Sequence, residues 1–164
     1  MGADAVGIYK NPWGPNPPRP KVEKTLRAYY RYAVWFKANP RGEDTLRALF
    51  DARFPGGRWV NADVDPAAAR AALGEERLVL VYPDAIGQGL GDLERAAWRA
   101  RRGRPPADAL NGRGRLFPLT RGTRWALGVR RLLERTQILE LAALGLFLLV
   151  TPVLWVWDAA RGRT

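Results

Sequence analysis

From Leu141 to Trp157 the chain reads LAALGLFLLVTPVLWVW, seventeen residues without a charge, and no feature restricts its fold more. A helix rises about 1.5 Å per residue, so this run alone falls a little short of a hydrocarbon core roughly 30 Å thick. Adding Ile138 and Leu139 gives full length and places Glu140 inside the segment. Leu, Ile, Phe and Val each contribute about −0.3 to −0.6 kcal/mol at mid-membrane, whereas an acid at the centre costs about 2.5 to 3.5 kcal/mol. The apolar majority therefore outweighs one Glu near the boundary. Pro152 removes a backbone donor, which membrane helices tolerate. Trp155 and Trp157 fall where an interfacial aromatic belt is expected. The run predicts a transmembrane helix over 138–157. A buried terminal helix of a soluble domain is the alternative, because length alone does not separate the two.

The flanks set the expected orientation. Arg121, Arg124, Arg130, Arg131 and Arg135 precede the span, while Arg161 and Arg163, offset by Asp158, follow it. The positive-inside rule keeps the N-terminal domain cytoplasmic and sends residues 158–164 outward, a single-pass, tail-anchored arrangement. Residues 1–90 hold 13 basic and 10 acidic groups, but residues 91–135 hold 12 Arg against Asp92, Glu94, Asp108 and Glu134. Most of the net charge of +11 therefore lies beside the span. Each Arg near an anionic leaflet contributes on the order of 1 kcal/mol. The five arginines of 121–137 are accordingly the expected lipid-headgroup contacts, on a basic amphipathic helix lying along an anionic bilayer. Nucleic acid is the competing partner for such a patch, and it is disfavoured because a basic collar next to a span already has one. Arg outnumbers Lys 23 to 4, a compositional bias that discourages reading single arginines too closely.

Ahead of the span there is room for one modest domain, 1–120. The chain contains no Cys, His or Ser. That excludes disulfides, thiolate nucleophiles and cysteine zinc sites, the usual imidazole base and serine nucleophiles. Catalysis would have to run on carboxylates, Tyr, Thr, Lys, Arg or a metal. The start, MGADAVGIYK, lacks the apolar stretch of a signal peptide and has Val6 where a myristoylation signal needs Ser or Thr.

Along the chain, Ala5–Lys10 is β-prone. Residues 11–20 carry Pro12, Pro15, Pro17, Pro18 and Pro20 and form a stiff extended linker or surface loop. Lys21–Lys37 places Val22, Leu26, Tyr29, Ala33 and Phe36 at helical spacing, and Asp44–Phe54 forms a second helix ended by Pro55, Gly56 and Gly57. Strand and helix then alternate: Arg58–Val64, a helix from Asp65 and Pro66, the apolar strand Arg77–Tyr82, a glycine-rich turn, and a helix Asp92–Arg101. Arg102–Arg121 reads as a surface loop with a short strand at Arg115–Leu119, and Thr123 caps the last helix before the span. A near-continuous apolar strand suits a sheet covered on both faces. The expected class is α/β, a small open mostly parallel sheet with flanking helices, plus the C-terminal membrane helix.

Two elements in this frame can carry chemistry. Gly87, Gly89 and Gly91 lie between a buried strand and a helix, where backbone N–H groups close around phosphate in doubly wound folds. Asp92 stands where a third fingerprint glycine belongs, and it suits a helix cap better than a phosphate. Asp63-Val-Asp65 resembles, over three residues, the DxD element of nucleotide-sugar glycosyltransferases. That resemblance implies carboxylates holding Mg or Mn against a diphosphate, with Asp84 as a third ligand if it lies close. Asp65-Pro66 also has the form of an N-cap followed by proline at the first helical position. The expected function is a membrane-anchored accessory or scaffold protein for a membrane-bound enzyme or complex. Glu140, Gly145 and Pro152 are its candidate contacts with a membrane-protein partner. The alternative is a metal-dependent, glycosyltransferase-like enzyme acting at the membrane surface on a nucleotide-sugar or lipid-linked substrate.

Overall fold

Short apolar runs bounded by turn residues become strands here, and five of them join in one sheet. The computed structural model describes residues 5–13, 33–136 and 138–162. The strands are β1 (Ala5–Tyr9), β2 (Arg58–Asn61), β3 (Arg77–Tyr82), β4 (Asp108–Asn111) and β5 (Leu116–Pro118). Their order is β2-β1-β3-β4-β5. The first four are parallel and β5 runs antiparallel to β4. The helices are α1 (Glu43–Arg53), α2 (Pro66–Ala72), α3 (Gly91–Ala100), α4 (Arg121–Thr136) and α5 (Ile138–Arg161), and residues 33–38 are also helical. The chain is thus a mixed α/β protein with an open, mostly parallel sheet.

Side chains alternate across a strand, so β3 feeds two cores. Val79 and Val81, with Ala5, Tyr9 and Leu110, meet Leu46, Phe50 and Phe54 from the α1 side. Leu78, Leu80 and Tyr82, with Val6, Ile8 and Val60, meet Ala69 and Ala72 of α2 and Leu90 and Ala97 at α3. Gly7 is what lets α1 approach: a Cβ there would lie 2.6 Å from the Phe50 ring. The Phe50 ring therefore packs directly on the β1 backbone, a close approach that only glycine permits.

Four details depart from expectation. Within the supposed loop 102–121 lies β4, whose Ala109, Leu110 and Asn111 are buried. It is only four residues long and framed by Arg, Pro and Gly, so no periodicity betrays it. Asp92 does not cap α3. Leu90 is the N-cap, without a side-chain bond, and Asp92 sits in the first turn beside Arg95. Thr123 does not cap α4 either; the Thr120 hydroxyl accepts from the Thr123 N–H at 3.2 Å. The predicted strand over 58–64 stops at Asn61 because the Asn61 side chain accepts from the Asp63 N–H at 2.9 Å and turns the chain. The predicted helix over 21–37 and the proline-rich segment fall mostly outside the described residues.

The chain divides into two units, Met1–Leu127 and Gly128–Thr164. The second holds the rest of α4 and all of α5. Within α5, Glu140–Arg161 is long and apolar enough to cross a membrane, with mean hydropathy 1.9 and no residue of its apolar window buried.

Candidate functional site

Strand order decides where a ligand can enter. β1 lies between β2 and β3, and the chain leaves β1 toward the α1 face but leaves β3 toward the α3 face. Loops that part in this way open a crevice at the carboxyl ends of the strands, the switch point of a doubly wound sheet. The loops concerned are 10–13, 62–65 and 83–90.

In this chain the crevice is crossed by the protein itself. Gly89, at φ 78°, faces Pro12 so closely that a Cβ would come within 2.5 Å of the Pro12 Cβ. Asp84 is 2% exposed, and its carboxylate accepts from the N–H groups of Ile86 at 2.8 Å and Gln88 at 3.0 Å, and from that of Gly87. These are the donors a phosphate would use, and a carboxylate of the same loop already occupies them. Asn111 secures the loop from β4 by donating to the Ala85 carbonyl at 3.1 Å. Gly91 is the first residue of α3.

The β1–β2 corner is acidic. Glu43, at the start of α1, accepts from Trp59 Nε1 at 3.0 Å and Asn61 Nδ2 at 2.8 Å. Trp59 stacks on Tyr9 with ring centroids 5.6 Å apart. Burial, then the charges of Glu43 and Asp63, push the Tyr9 hydroxyl up from its ordinary value to about 12, because each disfavours a phenolate. Tyr9 is therefore a neutral hydroxyl at physiological pH and not a base. Asp63 accepts from the Asn11 N–H at 2.6 Å and ties the loop after β1 to the loop after β2. Asp65 caps α2 through the Ala68 N–H at 2.8 Å. Asp63, Asp65 and Asp84 thus serve three separate backbone segments. Among the described residues, no three carboxylates come together to hold a metal ion.

The basic residues also separate. Arg121 and Arg124 lie over the Trp98 ring of α3, at 5.8 and 4.9 Å from its centroid. Arg130 pairs with Glu134 at 3.2 Å. Arg131 is half-buried, and Arg135 is exposed near the end of α4. In α5, Trp155 and Trp157 are exposed, with Arg161 over the Trp157 ring at 5.1 Å. Glu140 is in the first turn and Pro152 inside the helix. A Cβ on Gly145 would meet nothing within 4 Å.

Sequence reasoning overlooked Glu43, Trp59 and Tyr9, which only the strand order brings together. It also overlooked Trp98, Arg102 and Arg104, although DLERAAWRARRGR, with its one aromatic amid arginines, carried a usable signal. No family model matches the chain, and neither does any curated protein or solved structure.

Proposed function

We propose that this chain is a membrane-anchored accessory protein, an α/β domain held at a bilayer by α5 that associates with a membrane-bound enzyme or complex. The observation that carries this reading is the state of α5. A helix of mean hydropathy 1.9 leaves its apolar window wholly unburied, with Phe147, Leu149 and Trp155 each more than 60% exposed. In water, each large side chain left exposed forgoes about 1.5–3 kcal/mol of burial free energy, whereas a bilayer solvates all of them. The uneven arginine distribution supports a cytoplasmic α/β domain. A binding role suits the crevice, whose aspartates are engaged by the protein's own backbone. Within the bilayer, Gly145 and Pro152, seven residues apart on one face of α5, are the surface for a partner helix, and Glu140, on another face, is a separate polar contact near the boundary.

Fractionation of cells expressing the full chain tests the anchor. The protein is expected in the membrane pellet and should stay there after alkaline carbonate washing; recovery in the supernatant rejects the reading. A photo-crosslinker placed at position 145 is expected to give one discrete adduct, and one placed at Arg53 none. The second reading, metal-dependent transfer from a nucleotide-sugar or lipid-linked donor, rests on Asp63, which is exposed at the carboxyl edge. Thermal stabilisation by a sugar nucleotide with Mg²⁺ or Mn²⁺ that disappears in Asp63→Ala would establish it.

A further inference from the structure

At the opposite, amino-terminal edge of the sheet, the end of α3, the 101–107 segment and the start of α4 enclose a cavity of about 550 Å³. That size suits a small ligand or a lipid headgroup. Its lining includes Arg101, Arg102, Arg104, Arg121 and Arg124 against one carboxylate, Glu94. The five arginines do different work. Arg101 is 5% exposed and spends its guanidinium on backbone carbonyls, those of Pro105 at 3.0 Å, Glu76 at 2.8 Å and Glu75. It builds the wall. Arg104 donates to the Gly74 carbonyl through one nitrogen.

The side chains of Arg102, Arg121 and Arg124 make no hydrogen bond or ion pair among the described residues. Arg121 and Arg124 are held instead by the Trp98 face, which positions a guanidinium without using its N–H donors. Arg124 Nε is buried and has no hydrogen-bond partner. Such an atom is costly to leave unsatisfied. The sole carboxylate of the lining, Glu94, is 4% exposed and accepts from the buried Tyr82 hydroxyl. Burial, and then the charge of Arg104, lower the Arg101 pKa, because each disfavours the charged guanidinium, with Asp108 opposing.

We infer that this cavity is a phosphate-binding site, in which Arg102, Arg121 and Arg124 present guanidinium forks to a phosphomonoester group over the Trp98 ring. Phosphate is the anion that accepts several forks at once, since it has three charged oxygens where a carboxylate has two. The group can belong to the headgroup of an anionic lipid or to a soluble phosphate ester. The lipid source rests on the membrane reading given above; the site itself does not.

The full chain in neutral-detergent micelles is titrated calorimetrically with inorganic phosphate, glycerol 3-phosphate and dioctanoyl phosphatidic acid. Saturable binding is expected, at least tenfold weaker in Arg102→Gln and in Arg124→Gln and unchanged in Arg53→Gln, on the other face of the sheet. Arg102 is exposed and makes no bond, so its variant remains informative even if Arg124→Gln fails to fold. Tighter binding of the diacyl form than of glycerol 3-phosphate assigns a lipid source, and equal binding a soluble one. Absence of saturable binding by all three, or binding that Arg102→Gln leaves intact, overturns the site. Because the micelle assay does not depend on carbonate resistance, a soluble protein that binds phosphate rejects only the anchor. A membrane-embedded protein that binds none rejects only the cavity.

Discussion

Asp84 is the residue on which the crevice loop depends. Three buried N–H groups converge on its carboxylate, and buried donors without an acceptor cost about 1–3 kcal/mol each. Asp84→Ala is therefore expected to lower stability by about 3 kcal/mol or more in denaturant unfolding, and Asp84→Asn, which keeps one acceptor oxygen, by clearly less. Equal losses would mean that the charge matters and the hydrogen bonds do not. Tyr9 makes a different prediction. Its folded-state pKa of about 12 exceeds the ordinary 10, so between those values the unfolded chain releases the proton while the folded chain retains it. Stability should then fall as pH rises from about 10 to about 12. Tyr9→Phe should flatten that part of the profile, measured as midpoint against pH.

At the scale of elements, the contact between β1 and α1 is the tightest constraint. Gly7→Ala places a methyl group into the Phe50 ring, and overpacking a buried contact costs about 1–3 kcal/mol. In a Phe50→Leu background the added cost should shrink, because the smaller side chain leaves room for the methyl group; a double-mutant cycle of unfolding free energies measures that coupling. What the sequence made legible follows from the same packing. RLVLVY is buried on both faces, and its apolar run matches β3 residue for residue. Asp65-Pro66 announced a helix start that the Ala68 hydrogen bond bears out. In contrast, β4 buries side chains as small as Ala109, and its hairpin signal, Asn111-Gly112 ahead of LFP, stood among residues that equally describe a loop. The caps of α3 and α4 lie two and three residues ahead of Asp92 and Thr123, because Asp and Thr serve equally well in a first turn. The crevice was legible only as separate glycines and aspartates, since their roles depend on a strand order that no local pattern encodes.

For the molecule as a whole, α5 decides location. Leu149 lies mid-helix and is 74% exposed, and an arginine at the centre of a span costs about 2.5–3.5 kcal/mol on the insertion scale. Leu149→Arg should shift protein from the carbonate-resistant pellet to the soluble fraction, while Leu49→Arg, in α1, should destabilise the domain without changing its partition. The hairpin that joins β4 to β5 has a consequence of its own. By reversing the chain it returns Leu119 to hydrogen-bond with Ala107, ahead of β4, so α4 sets out from the pole of the domain opposite the Asp84 loop. A phosphate gripped at the root of α4 would therefore sit at the far end of the sheet from the carboxylate-filled loop, and its arrival would leave the Asp84 hydrogen bonds untouched.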